Sequence, residues 1–196
     1  MNRRKAIHSI GVAAALPLYS TELFALGREA QARLHQRQDG TPYRFQTLDA
    51  RESEVLSTAC ELILPETDTP GARSAKVPEF IDVVLTDWFN DEERERFLKG
   101  LRELAGRGAG FLSSTPAEQV GFLSEMETAA LADPALEGAM RRARKGALSS
   151  PSAPFFTVLK WLTLYGYFTS EVGMERELEY VDFPGTYDGC SPLKGR

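Results

Sequence analysis

The sequence predicts an all-α protein, a single compact helical domain built round one apolar helix and closed by an irregular C-terminal tail. Three observations lead there. Apolar residues recur at helical spacing through most of the chain after residue 49. Helix starts are written in the side chains: Asp49 with Glu52, Asn90 with Glu93, and Thr115, Pro116 and Glu118 together. The run PFFTVLKWLTLYGYFTSEVG, from Pro154 to Gly173, is the densest apolar and aromatic stretch outside the N-terminus. At 3.6 residues per turn Phe155, Leu159, Leu162 and Gly166 share one stripe, with Phe156, Thr163 and Tyr167 beside it and Trp161, Tyr165 and Phe168 on the remaining faces. A helix apolar on every side is either wrapped by its neighbours or leaves one face for a partner.

Taken in order, the chain opens with an address. Arg3 and Arg4 precede a weakly apolar segment, Ala6 to Leu18, that is too short and too lightly apolar to span a membrane comfortably. The arginine pair resembles the signal of the twin-arginine pathway, which exports folded and often cofactor-loaded proteins. A charged N-terminal helix or anchor is the alternative. Residues 1–25 are read as this signal segment. No small-x-small cleavage site follows, because Phe24 stands between Leu23 and Ala25, so a retained N-terminal helix stays open. Residues 26–48, polar and broken at Gly40, Thr41 and Pro42, read as a linker in which His35 is a solvated histidine.

Residues 49–196 form the helical domain. The first helix runs from about Ala50 to Leu64 with Val55, Leu56, Ala59, Leu62 and Ile63 as its stripe, Cys60 at the border, and Pro65 ending it. The loop PETDTPGARSAKVP, residues 65–78, is too rich in Pro, Gly and Thr for regular structure. Glu66 and Asp68 lack the repeated ligands of a calcium loop and read as turn and cap residues; a contact surface is the simplest role for so long a loop. Pro78 starts an amphipathic helix with Phe80, Ile81, Val84, Leu85 and Trp88. Asn90 restarts one with Phe97, Leu98, Leu101 and Leu104, ended by Gly106, Gly108 and Gly110. Those glycines follow a helix and not a strand, so they read as a connector and not a phosphate cradle. Thr115 caps a helix with Phe122, Leu123 and Met126 inward. The basic run Arg141 to Lys145 complements a helix C-terminus. The tail after Gly173 carries Tyr180, Phe183 and Tyr187, which are too apolar to hang in water, so it should dock on its own helices or on a second protein.

A net charge of -5 and a pI near 5.2 argue against nucleic acid or an anionic membrane as main partner. With two histidines and two cysteines in 196 residues, zinc, haem and histidine acid/base chemistry have almost no ligands to use. No dinucleotide fingerprint, haem-attachment motif or serine–histidine–acid set is present. No catalytic, cofactor-binding or metal residue is therefore assigned. An exported chain with no evident means of holding a cofactor is most simply explained if the loaded cargo is another polypeptide.

LPETDTPGA at 64–72, VPEFID at 77–82, LTLYGYFTSEVG at 162–173 and PGTYDGC at 184–190 together resemble the gluconate 2-dehydrogenase subunit 3 family, over roughly Ala50 to Pro192. The resemblance implies a mainly helical, non-catalytic small subunit of a periplasmic dehydrogenase complex. Its partner is expected to be an FAD-dependent sugar or sugar-acid dehydrogenase of the glucose-methanol-choline class, often with a cytochrome c subunit. The FAD is then held by the partner, and the small subunit is needed for the flavoprotein's export or maturation. The rival classes are a free-standing enzyme using carboxylates such as Glu66, Asp68 or Glu171, and a structural protein anchored by its N-terminus. Cys190 has three expected states: a disulfide to the flavoprotein, a bridge to Cys60, or a reduced pair. Tyr165, Tyr167, Phe168 and Tyr187 are the expected partner surface, with packing in the core the favoured alternative for any single one of them.

Overall fold

The structure is a computed structural model, and it describes residues 21–37, 42–136, 138 and 153–178. Six α-helices are described: α1 (Thr21–Arg37), α2 (Ala50–Ile63), α3 (Val77–Asp87), α4 (Asp91–Ala105), α5 (Pro116–Ala132) and α6 (Phe155–Thr169). A 3₁₀ turn, Phe111–Ser113, precedes α5, and a π-helical turn, Gly173–Glu177, follows α6. Among the described residues there is no strand, so the all-α expectation holds. None of these helices is long and apolar enough to cross a membrane.

The apolar run does become the central helix. α6 packs against each of the other five, and Leu159, Leu162, Leu164, Tyr165 and Tyr167 are buried. Each such side chain contributes about 1.5–3 kcal/mol by leaving water. Close approach is made possible where side chains are missing: a Cβ on Gly166 would lie 2.6 Å from the Phe80 ring, and one on Gly100 would collide with Phe155. α3 supplies Phe80, Ile81, Val83, Val84 and Leu85 to the same core, α2 supplies Val55, Leu56 and Ala59, and α4 supplies Leu101 and Leu104.

The helix starts are those the side chains spell. Asp49, Asn90 and Thr115 each accept from the backbone amide three residues on, and Glu52, Glu93 and Glu118 each return a bond to the cap residue's own amide. Hydrogen bonds from Thr115 hold the Glu118 carboxyl below its usual range. Gly108 and Gly110 have φ of 62° and 112°, backbone that favours glycine, so the connector turns there between α4 and α5. Arg94 caps the end of α3, donating to the carbonyls of Leu85 and Phe89 at 2.8 and 2.9 Å.

Residues 26–48 are not simply the expected linker. Thr21–Arg37 is a 17-residue helix, which also takes in the end of the segment read as signal. Its inward stripe is Gly27, Ala30 and Leu34, too small and sparse to register as an apolar pattern. Polar side chains complete the docking. Gln31 Nε2 donates to the Gly166 carbonyl at 3.0 Å, and Arg33 and Arg37 both reach Asp87. His35 is exposed in the last turn, as a solvated histidine should be.

Candidate functional site: the braced loop between α2 and α3

Leu64–Ala72, the first of the motif segments, leaves α2 and returns to α3 by an irregular loop whose outer residues Pro65, Glu66, Thr67 and Asp68 are exposed. Exposure here does not come with slack. The Glu61 carboxylate, from the last turn of α2, accepts the amides of Glu66 at 2.7 Å and Arg73 at 3.0 Å, tying both arms of the loop to one side chain. A Cβ on Gly71 would collide with that same carboxylate. Arg73 in turn bonds Glu54 and Thr58 on α2, and Ser74 donates to Glu66. The loop closes on itself where the Thr67 amide meets the Thr69 carbonyl at 3.0 Å and the Ala72 amide meets the Leu64 carbonyl at 2.9 Å.

A further motif segment holds the loop from beneath. Tyr167, in the α6 motif, donates its hydroxyl to the Pro70 carbonyl at 2.9 Å. After it, the Ser170 hydroxyl donates to the Tyr167 carbonyl at 2.7 Å and accepts the Gly173 amide at 3.1 Å. Gly173 is pressed onto the Tyr167 carbonyl so closely that a Cβ has no room. Lys76, at the loop's end and at the N-cap of α3, holds φ 55°, a backbone state uncommon outside glycine.

Asp82 of VPEFID is a node that sequence reasoning missed. It is fully buried, and its two oxygens accept the Tyr43 hydroxyl and the amides of Gln46, Thr47 and Leu48 at 2.8–3.2 Å. Four donors around one carboxylate pin residues 43–48 onto α3. Burial, with Asp82 adding to it, pushes the Tyr43 phenol well above its usual range, so it stays a donor. The available signal was an acid amid Phe80, Ile81, Val83 and Val84, where only a partnered charge is tolerated.

The expected partner aromatics separate. Tyr165 and Tyr167 are each 1 % exposed and belong to the core. Tyr165 meets Phe80 edge-on at 5.8 Å and stacks on Trp161 at 4.9 Å, because its side of α6 faces α1 and α3. Phe168 is half-buried, edge-on to Tyr167. Cys60 is also wholly buried, its sulfur 3.4 Å from the Thr163 hydroxyl, and burial pushes its thiol up to about 12. Arg3, Arg4, Tyr187, Cys190 and the basic run 141–145 lie outside the described residues.

Glu66 and Asp68 carry hydrogen bonds of the loop itself, from Ser74 and Thr67, and Glu171 stands exposed past the end of α6. Among the described residues no group of three or more His, Cys, Asp or Glu side chains is placed to hold a metal ion. A recess between α4 and the start of α6, lined by Phe89, Phe97, Phe155 and Val158, has a volume of about 10 Å³, room for one water at most. At the loop, the polar groups described above are spent on holding an exposed shape.

The motif segments so placed fall within residues 50–185, the span that matches the family model described as gluconate 2-dehydrogenase subunit 3. No curated protein and no solved structure matches the chain. With more than half its length inside that match, the chain belongs to the gluconate 2-dehydrogenase subunit 3 family.

Proposed function

We propose that this chain is a non-catalytic small subunit that binds an FAD-dependent sugar or sugar-acid dehydrogenase of the glucose-methanol-choline type. It escorts the loaded flavoprotein through twin-arginine export and stabilises the complex in the periplasm. The family name itself gives the coarser part, a subunit of a gluconate dehydrogenase complex. The observation that carries the rest is the braced loop: its internal bonds go to fixing an exposed shape, as a surface that must fit another protein requires. The arginine pair at Arg3 and Arg4 supports the export step, and the FAD belongs to the partner.

Co-expression of the flavoprotein with the full chain, or with an Arg3→Lys, Arg4→Lys version, tests this. The expected result is periplasmic dehydrogenase activity with the native pair and retention in the cytoplasm with the altered one. Equal periplasmic activity in both rejects the escort role. Dehydrogenase turnover by the purified chain alone rejects the non-catalytic one.

A further inference from the structure

α1 carries a peptide bond whose sequence invites a cut and whose place in the fold forbids it. Just past the triplet spoiled by Leu23, Ala25 and Gly27 flank Leu26, so a small-x-small triplet does follow Arg3 and Arg4. The expectation that none does is corrected. A leader peptidase reading this triplet would cut between Gly27 and Arg28. The other small run, Ala13 to Ala15, has only residues 6–12 ahead of it, the shortest apolar stretch that such a leader uses.

In the fold the triplet is helix. It lies within Thr21–Arg37, and Gly27 is buried against α6 so closely that a Cβ would lie 2.7 Å from the Thr169 methyl and 2.8 Å from the Tyr165 hydroxyl. A peptide bound in extended form pairs its backbone with the protein that reads it, as an added strand does. Helical carbonyls are instead bonded to amides four residues on, so freeing residues 25–28 also frees the amides of residues 29–32. That stretch is the docked one. Ala30 is 1 % exposed and Gln31 donates to the Gly166 carbonyl at 3.0 Å, while beyond them Leu34 is covered and Arg33 and Arg37 both hold Asp87. Gly27 cannot be presented to a protease while these contacts stand.

We propose that docking of α1 closes the Gly27–Arg28 bond to the leader peptidase, so that the exported chain keeps its leader; this rests on the export step proposed above. The twin-arginine pathway passes chains already folded, so α1 is in place before the peptidase is met. Cleavage at a locally opened site follows the population of the open form. Retention is therefore set by the contacts of Gln31, Arg33 and Arg37, which lie outside the triplet itself.

The test reads, by intact mass, the first residue of the full chain co-expressed with its flavin dehydrogenase subunit and recovered from the periplasm and inner membrane. The wild-type chain is expected to begin ahead of Arg3. Asp87→Ala, which releases both arginines, should raise the fraction beginning at Arg28 about fivefold. Adding Gly27→Leu removes the small residue before the bond, and the Arg28 start should then vanish although α1 is looser still. Its persistence would mean general clipping of a loosened helix, and the assignment of the bond would fall. A wild-type chain that begins at Arg28 or at Leu16 overturns retention while leaving export and the proposed function standing. A wild-type chain held in the cytoplasm sinks the export step and this inference with it. Asp87→Ala that is exported and stays uncut at Arg28 overturns the shielding. Should that variant fail to melt as a folded chain, Gln31→Ala takes its place with the same two outcomes.

Discussion

α6 is gripped from two sides in opposite ways. Toward α3 the contact is apolar and closed: Val77, Phe80, Ile81, Val84 and Leu85 are at most 1 % exposed, and Gly166 lets the Phe80 ring reach the α6 backbone. Toward α1 the contact is small and polar. Gly27 meets Thr169 and the Tyr165 hydroxyl, Ala30 and Leu34 are covered beside it, and polar bonds complete the hold: Gln31 on the Gly166 carbonyl of α6, and Arg33 and Arg37 on Asp87 at the end of the neighbouring α3. Arg33 also lies 4.5 Å over the Trp88 ring. Gly166 serves both seams, its missing side chain on one and its carbonyl on the other. The difference separates two jobs. Burial of volume supplies stability without direction, whereas a few directed polar bonds fix where a helix sits and supply little free energy. α1 is therefore the first helix expected to lift from the body.

Breaking the apolar seam gives the largest effect. Phe80→Ala removes a fully buried ring against Gly166 and Tyr165 and should cost about 3–5 kcal/mol, read as a lower urea midpoint for the whole domain. If the two seams were equivalent, a comparable insult to α1 would do the same. Gly27→Leu forces a side chain into the 2.7 Å space before Thr169, an overpacking worth about 1–3 kcal/mol. Because α1 contributes little buried volume, the outcome expected is local: limited proteolysis cuts within Thr21–Arg37 while the urea midpoint of the body barely moves. A single cooperative loss of the whole fold in Gly27→Leu would show that the seams are energetically one.

The same contrast explains what was legible in the sequence. α2 through α6 follow from capping residues and apolar period, because their stability comes from those local patterns. The capping boxes at Asp49, Asn90 and Thr115 form as written. α1 was hidden because small and polar residues hold it, and Gln31, Arg33 and Arg37 read as solvent-facing until their partners Gly166 and Asp87, far off in sequence, are brought alongside. The braced loop was readable as an irregular loop, but its brace was not. Nothing local says that Glu61 will bond amides on both arms, or that Tyr167 will reach Pro70. Tyr165 and Tyr167 fall to the core alternative, each 1 % exposed, and an all-apolar helix does not reveal in sequence which faces its neighbours cover.

The polar seam can be tested by itself at Asp87, which is 13 % exposed at its side chain and receives both arginines. Asp87→Ala should raise amide exchange across Thr21–Arg37 several-fold while leaving α3 and α6 protected. Salt sharpens the reading. Arg33 is 41 % exposed and within reach of screening, so in the wild type α1 protection should fall from 50 mM to 1 M salt, and in Asp87→Ala that dependence should vanish. Salt-independent protection of α1 in the wild type would mean that Gly27, Ala30 and Leu34 alone suffice to hold it.

The smallest effect belongs to the apolar side, where α2 meets α6 at Cys60. Burial raises this thiol from 9.0 in the unfolded chain to about 12, with the Thr163 hydroxyl opposing the shift. A raised acid pKa means that the folded state keeps its proton while the unfolded state loses it. The associated stability is complete below pH 9 and is lost progressively as pH rises from 9 toward 12. At pH 9.5 the unfolded chain gains about 0.8 kcal/mol relative to neutral pH from this group alone. Urea melts of the wild type and Cys60→Ala at pH 7.5 and 9.5 isolate it, since the half-buried Tyr43 and the buried Tyr165 phenols contribute equally to both chains. The expected outcome is a wild-type midpoint that falls more steeply with pH than that of Cys60→Ala, together with slow alkylation of Cys60 in the native chain at pH 8. Equal slopes, with fast alkylation, would show that water reaches the α2–α6 seam, and the division between a dry apolar grip and a wet polar one would have to be redrawn.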